Sequence, residues 1–86
     1  MPKIEIYSGD YCPFCQRAKG LLTQRGHAYT EYNVQLDSTK REEMMIRSVG
    51  ARTIPQVFIN GRHVGGYDAL YALDRKGELA DWLARV

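Results

Sequence analysis

Polar and apolar residues alternate at the start of the chain. Lys3-Ile4-Glu5-Ile6-Tyr7 sets β-branched and aromatic side chains two apart and predicts a strand, and Ser8-Gly9-Asp10-Tyr11 then predicts a turn. From Pro13 to about Gly26 the period becomes helical, with Phe14, Ala18, Leu21 and Leu22 as the apolar stripe. Pro13 suits a first helical turn, where its missing N–H is not needed, and Gly26 suits the stop. Cys12 therefore falls at a helix N-terminus. Tyr29 to about Val34 predicts a second strand. About Ser38 to Val49 predicts a second helix carrying Met44, Met45 and Val49; Thr39-Lys40-Arg41-Glu42 offers a capping-box pattern near its start, and Gly50 ends it.

Beyond Gly50 the period shortens again. Val57-Phe58-Ile59 and Arg62-His63-Val64 flank Asn60-Gly61, the pair best suited to the two positive φ angles of a tight hairpin turn. Gly65-Gly66 closes that hairpin, Asp68 is placed to cap a third helix through Leu73, and Leu79, Trp82 and Leu83 form the stripe of a short fourth. The order is β-α-β-α-β-β-α-α, without repeat, linker or low-complexity segment, so residues 1–86 are expected to form a single domain. A strand-helix-strand unit is parallel and right-handed, and a hairpin added after a second helix gives a mixed four-stranded sheet flanked by helices, a thioredoxin-like α/β fold. Cys12 and Cys15 then lie just past the C-terminal end of the first strand, where open α/β sheets place their chemistry.

Composition narrows the function classes. At 44 % hydrophobic, 86 residues hold enough apolar material for one modest core without a metal or a disulfide staple. Twelve basic residues against ten acidic leave a formal charge of only +2, with Lys40-Arg41 beside Glu42-Glu43, a solvated helix face and not a nucleic-acid surface. No apolar run approaches the roughly 20 residues that span a bilayer. Met1-Pro2-Lys3-Ile4-Glu5-Ile6 carries charges where an export signal needs an apolar stretch, so a cytoplasmic protein without membrane partners is expected.

The two cysteines, three positions apart, are the sequence's chemistry. In a reducing compartment such a pair is more often redox-active or metal-binding than structural. Free N–H groups and the positive end of a helix favour a thiolate at Cys12, whereas Cys15, one turn on, reaches Cys12 but points back into the protein. Cys12 is thus the candidate nucleophile and Cys15 the candidate resolving thiol; the bland alternative is two core cysteines. A structural zinc site needs further ligands, and His27 and His63 stand far apart without finger spacing. An iron–sulfur cluster shared by two subunits, with glutathione completing the ligands, stays open as a subtler reading.

Three motifs carry a family resemblance: Cys12-Pro13-Phe14-Cys15, Thr53-Ile54-Pro55-Gln56-Val57-Phe58-Ile59 and Gly65-Gly66-Tyr67-Asp68. In order and spacing the chain resembles the dithiol glutaredoxins, above all the short bacterial ones of the third type, which it also matches at Arg41-Glu42-Glu43-Met44 and Asp68-Ala69-Leu70-Tyr71-Ala72-Leu73-Asp74. The resemblance implies a glutathione-dependent thiol–disulfide oxidoreductase with no tightly bound cofactor and glutathione as co-substrate. It implies that Pro55 is cis and faces the cysteines, that Thr53, Ile54 and Pro55 offer a backbone edge to an extended ligand, and that Gly66 and Tyr67 donate N–H groups to a carboxylate while Asp68 meets an amine. The partners it implies are glutathione and disulfide-bonded or glutathionylated proteins, ribonucleotide reductase among them, served by a monomer. Pro13-Phe14 separates the chain from cluster-carrying monothiol relatives, in which a single cysteine is followed by Gly-Phe-Ser. The rival readings are a glutathione-independent redoxin fed by a flavoprotein and a non-catalytic metal or cluster carrier.

The chain departs from that pattern at three places. Gly9 stands where related sequences carry a lysine, so a cation beside the thiolate is missing, with Arg17 and Arg52 as candidate substitutes. Phe14 replaces a tyrosine, and Tyr67 replaces a small residue at the pocket.

Overall fold

The computed structural model describes residues 3–84, and the elements follow in the expected order. Strand β1 (Ile4–Ser8) leads to helix α1 (Pro13–Gln24), β2 (Thr30–Asn33), α2 (Ser38–Arg47), β3 (Gln56–Ile59), β4 (Arg62–Gly65), α3 (Tyr67–Arg75) and α4 (Leu79–Ala84). They build one mixed sheet in the order β2-β1-β3-β4: β1 runs parallel to β2 and antiparallel to β3, and β3 runs antiparallel to β4. Asn60 and Gly61 take φ of 51° and 82°, the positive pair the hairpin turn requires. The register shift between Val57 and Phe58 is a bulge that no turn residue announces. No described helix is long and apolar enough to cross a membrane.

Strand β1 lies in the middle of the sheet, and alternation there sorts two buried faces instead of one buried and one wet. Ile4 and Ile6 point with Val57 and Ile59 into an aliphatic cluster closed by Ala18, Leu21 and Leu22 of α1, Leu70 of α3 and Leu79 and Leu83 of α4. On the other face Tyr7 and Phe58 meet Val34 and Met44 of α2. Glu5 belongs to that second face and is only 6 % exposed. Its carboxylate takes two bonds from Arg47, at 3.1 and 3.0 Å, and one from the Tyr32 hydroxyl at 2.9 Å. Arg47 also donates to the Tyr7 hydroxyl at 2.7 Å and stacks 4.2 Å over the Phe58 ring, while Tyr7 donates to Glu43. Burial with the Glu43 carboxylate nearby pushes the Tyr7 pKa up to about 12. Arg47 holds Glu5 below the usual carboxylate range, outweighing its burial.

Several helix ends differ from expectation. Helix α2 is capped by Asp37, whose side chain accepts from Thr39 and Lys40 N–H at 3.0 and 3.2 Å, so the Thr39–Glu42 capping box is not used. That helix ends at Arg47; Val49 has left it with φ 58° and is 95 % exposed, so it adds nothing to the core. Asp68 is not the cap, because Gly66, two residues earlier, is the N-cap of α3, which runs on to Arg75. Phe14 lies in the apolar stripe of α1 by spacing but is half exposed.

Candidate active site

Strand β1 ends at Ser8, and the turn after it delivers Cys12 to the start of α1. Tyr11, in the left-handed region at φ 55°, turns the chain, and Cys12 then adopts an extended backbone as the N-cap of α1. The Cys12 sulfur accepts the Cys15 N–H at 3.2 Å, which is the arrangement that stabilises a thiolate once the pair is reduced. The two sulfurs are joined as a disulfide with Cα atoms 5.2 Å apart, within ordinary disulfide range. Cys15 is fully buried and Cys12 is not, so an incoming thiol meets Cys12.

A second segment faces the pair. The Ile54–Pro55 peptide bond is cis, as the resemblance implied, and the Ile54 carbonyl oxygen lies 3.9 Å from the Cys12 sulfur. Beside it opens a pocket of about 350 Å³ whose walls include all six residues singled out from the sequence: Thr53, Ile54 and Pro55 on one side, Gly66, Tyr67 and Asp68 on the other. These come from the loop before β3 and the start of α3, two segments that only the fold brings together. Phe14 and Ala69 complete the lining. Phe14 was legible as part of the cysteine motif but read as core; Ala69 carried no signal beyond its place one residue after Asp68.

The electrostatics of the pocket come from backbone more than from charge. Helix α3 starts at Tyr67 with Gly66 as an N-cap that supplies no side-chain bond, which leaves its positive end to serve an anion. Asp68, exposed in the first turn, places a carboxylate on the same wall. The two walls approach closely: a Cβ on Gly66 would sit 3.5 Å from the Pro55 carbonyl oxygen. At Gly65, φ 123° and an added Cβ only 3.1 Å from that of Ala69 both require glycine.

The departures are now placed. Tyr67 faces Phe14 across the pocket, ring centroids 6.3 Å apart, and is followed by Tyr71 at 5.8 Å. Arg17 stacks 5.3 Å over the outer face of Phe14, and neither it nor Arg52 lines the pocket. Gly9 has no spare room: Gln35 lies against it, and a Cβ there would come within 2.5 Å of the Gln35 side chain, which accepts the Asp10 N–H at 2.8 Å. His27 is half-buried; His63 on β4 stacks on Phe58 at 4.9 Å and contacts Gln56 Oε1 at 2.6 Å, and this partial burial lowers its pKa. Among the described residues, no three His, Cys, Asp or Glu side chains come together as metal ligands.

Comparison with known proteins agrees with this geometry. A family model described as Glutaredoxin matches residues 4–64. Over 79 residues the chain is 48 % identical to Glutaredoxin 3 of Escherichia coli strain K12, covering 92 % of this chain and 94 % of that protein. The solution structure of glutaredoxin from Brucella melitensis is similar with a TM-score of 0.81 and 43 % identity, over 94 % of this chain and 87 % of that one. A crystal structure of a buckwheat glutaredoxin–glutathione complex is similar with a TM-score of 0.84 and 32 % identity, over 95 % and 76 % of the two chains.

Proposed function

The chain belongs to the glutaredoxin family and is a thiol–disulfide oxidoreductase, and from that premise we propose that Cys12 is its nucleophile, Cys15 its resolving thiol and the adjoining pocket its glutathione site. The observation that carries the reading is that one pocket beside Cys12 is lined by both halves of a peptide-binding arrangement. On one wall the Thr53-Ile54-Pro55 edge offers backbone groups that pair with an extended tripeptide as an added strand does. On the other, the N–H groups of Gly66 and Tyr67, at a helix start without a side-chain cap, suit the γ-glutamyl carboxylate, and Asp68 suits its amine. The similar buckwheat glutaredoxin was crystallised with glutathione, which supports the same ligand here.

The chemistry proceeds by exchange. The Cys12 thiolate attacks the glutathione sulfur of a glutathionylated protein, and the protein's thiolate leaves and takes up a proton. A second glutathione thiolate attacks the bound glutathione sulfur, releasing glutathione disulfide and restoring the Cys12 thiolate. With a protein disulfide, Cys12 forms a mixed disulfide with the protein, and Cys15 then attacks the Cys12 sulfur and frees the substrate thiol. The product is the Cys12–Cys15 disulfide seen in this structure, which two glutathiones reduce. The reading needs no bound cofactor and takes the whole chain as one cytoplasmic, monomeric domain, with ribonucleotide reductase among its protein substrates.

Asp68→Ala tests the glutathione assignment. Loss of a charge-assisted bond lowers catalytic efficiency with glutathione by roughly 10- to 100-fold. Because Gly66 and not Asp68 caps α3, the melting temperature falls only slightly, through one lost favourable interaction with the helix terminus. The assay compares reduction by glutathione with glutathione reductase against reduction by thioredoxin reductase, each with NADPH. Fast turnover by thioredoxin reductase, with glutathione slow and indifferent to Asp68, would identify a glutathione-independent redoxin instead.

A further inference from the structure

We propose that the groove between α1 and α3 seats an acidic segment of the protein substrate, an inference that rests on the Cys12 pocket being the glutathione site. The groove has a volume of about 440 Å³ and shares Tyr67 with that pocket, so the two adjoin at that ring. Once glutathione occupies the pocket, the protein joined to its sulfur must rest on surface that rims it. The row Phe14, Tyr67, Tyr71 leads out of the pocket along this groove, with successive centroids 6.3 and 5.8 Å apart. It presents flat, rigid apolar area at low entropic cost, which suits a docking surface.

Charge selects the partner. Three arginines line the groove, and they are not equivalent. Arg25 is consumed by Asp74, to which it donates twice, at 2.8 and 2.9 Å. Arg17 and Arg75 are exposed, lie over the Phe14 and Tyr71 rings at 5.3 and 5.7 Å, and meet no carboxylate within 4 Å among the described residues. Both guanidinium groups are held beside aromatic rings, Arg75 also donating one N–H to the Tyr71 hydroxyl at 3.2 Å, and their remaining N–H groups can pair with carboxylates. With Asp74 neutralised by Arg25, the groove carries a surplus of two positive charges flanking an aromatic row.

The test uses two glutathionylated peptides of equal length, one with Asp and Glu around its cysteine and one with Asn and Gln, at low ionic strength. Wild-type protein is expected to prefer the acidic peptide in kcat/KM. Arg17→Glu and Arg75→Glu should each cut that preference by up to about fivefold, and the double variant should reverse it. Arg41→Glu, which changes the net charge equally but lies on α2 away from the groove, should leave the preference intact. Arg75→Glu should turn over the small cysteine–glutathione mixed disulfide at the wild-type rate. Absence of a wild-type preference, an equal loss in Arg41→Glu, or an effect seen instead as a raised KM for glutathione would overturn the assignment. Failure of wild type on the small mixed disulfide would strike the glutathione reading itself, and so is distinguishable.

Discussion

Two polar clusters sit on the same sheet and are built in opposite ways. The cluster of Glu5, Tyr7, Tyr32, Glu43 and Arg47 lies under α2 and is closed: its charged groups are matched to partners, and no buried side-chain N or O atom among the described residues lacks one. The Cys12 pocket is open: its helix N-terminus has no side-chain cap, its carboxylate is exposed, and the Ile54–Pro55 edge faces solvent space. The largest pKa displacements belong to the closed cluster, at Tyr7 and Arg47. A perturbed pKa here signals a satisfied structural network, whereas unsatisfied geometry beside a reactive sulfur signals chemistry.

Breaking the open cluster at its centre gives the largest effect. Cys12→Ser should abolish turnover of a glutathione mixed disulfide, while Cys15→Ser retains substantial activity because glutathione itself resolves the intermediate; an activity assay on both variants decides it. Equal loss from both would mean that only the dithiol route operates. Neither substitution touches the network under α2.

Breaking the closed cluster should do the reverse. Arg47→Ala leaves the Glu5 carboxylate buried without its main partner and should destabilise the fold by about 2 to 3 kcal/mol, less than a fully buried pair because Arg47 is a quarter exposed. Per folded molecule, activity toward a small mixed disulfide should be unchanged. The variant also alters the acid response. Glu5 has its folded pKa lowered, so its stabilising contribution is complete above the unfolded carboxylate pKa and disappears as pH falls through the folded value. Urea melts below about pH 4.5 should therefore lose stability more steeply in wild type than in Arg47→Ala. Parallel acid limbs in the two proteins would show that Glu5 is not coupled to Arg47.

The smallest effect concerns Gly9, at the rim of the open cluster. A lysine there would bring a cation toward the thiolate, yet its Cβ must first displace Gln35 and break the bond to the Asp10 N–H. Gly9→Lys alone should change the KM for glutathione by less than about twofold. Combined with Gln35→Ala, it should improve KM by up to about fivefold at low salt and less at high salt. A full gain in the single variant would mean that Gln35 yields freely.

How far these regions were legible depended on whether the signal was local. The cysteine pair, the Asn60-Gly61 turn and the helix of Ala18, Leu21 and Leu22 rest on neighbours in sequence, and each appears where expected. The capping of α2 was misjudged because Asp37 and Thr39 are both good caps, and the choice follows from where β2 releases the chain. Asp68 was read as a cap because Gly66 and Tyr67 give no side-chain signal, although a glycine N-cap starts α3 two residues sooner. The burial of Glu5 was not legible, because alternation does not reveal a central strand, whose second face is covered by a helix some 40 residues away.

By itself the sequence determined the order and type of the elements, the hairpin turn, the placing of Cys12 before Cys15 at a helix start, and the membership of the three motifs. All of these depend on residues a few positions apart, whose backbone preferences and hydrogen bonds act within one turn or one strand. The tertiary structure alone decided that Thr53 to Pro55 and Gly66 to Asp68 share one pocket with Phe14, that Gln35 fills the space at Gly9, and that Glu5 is buried against Arg47. Those pairings join segments distant along the chain, and only the packing of helices on both faces of a single sheet, with the desolvation it imposes, selects them.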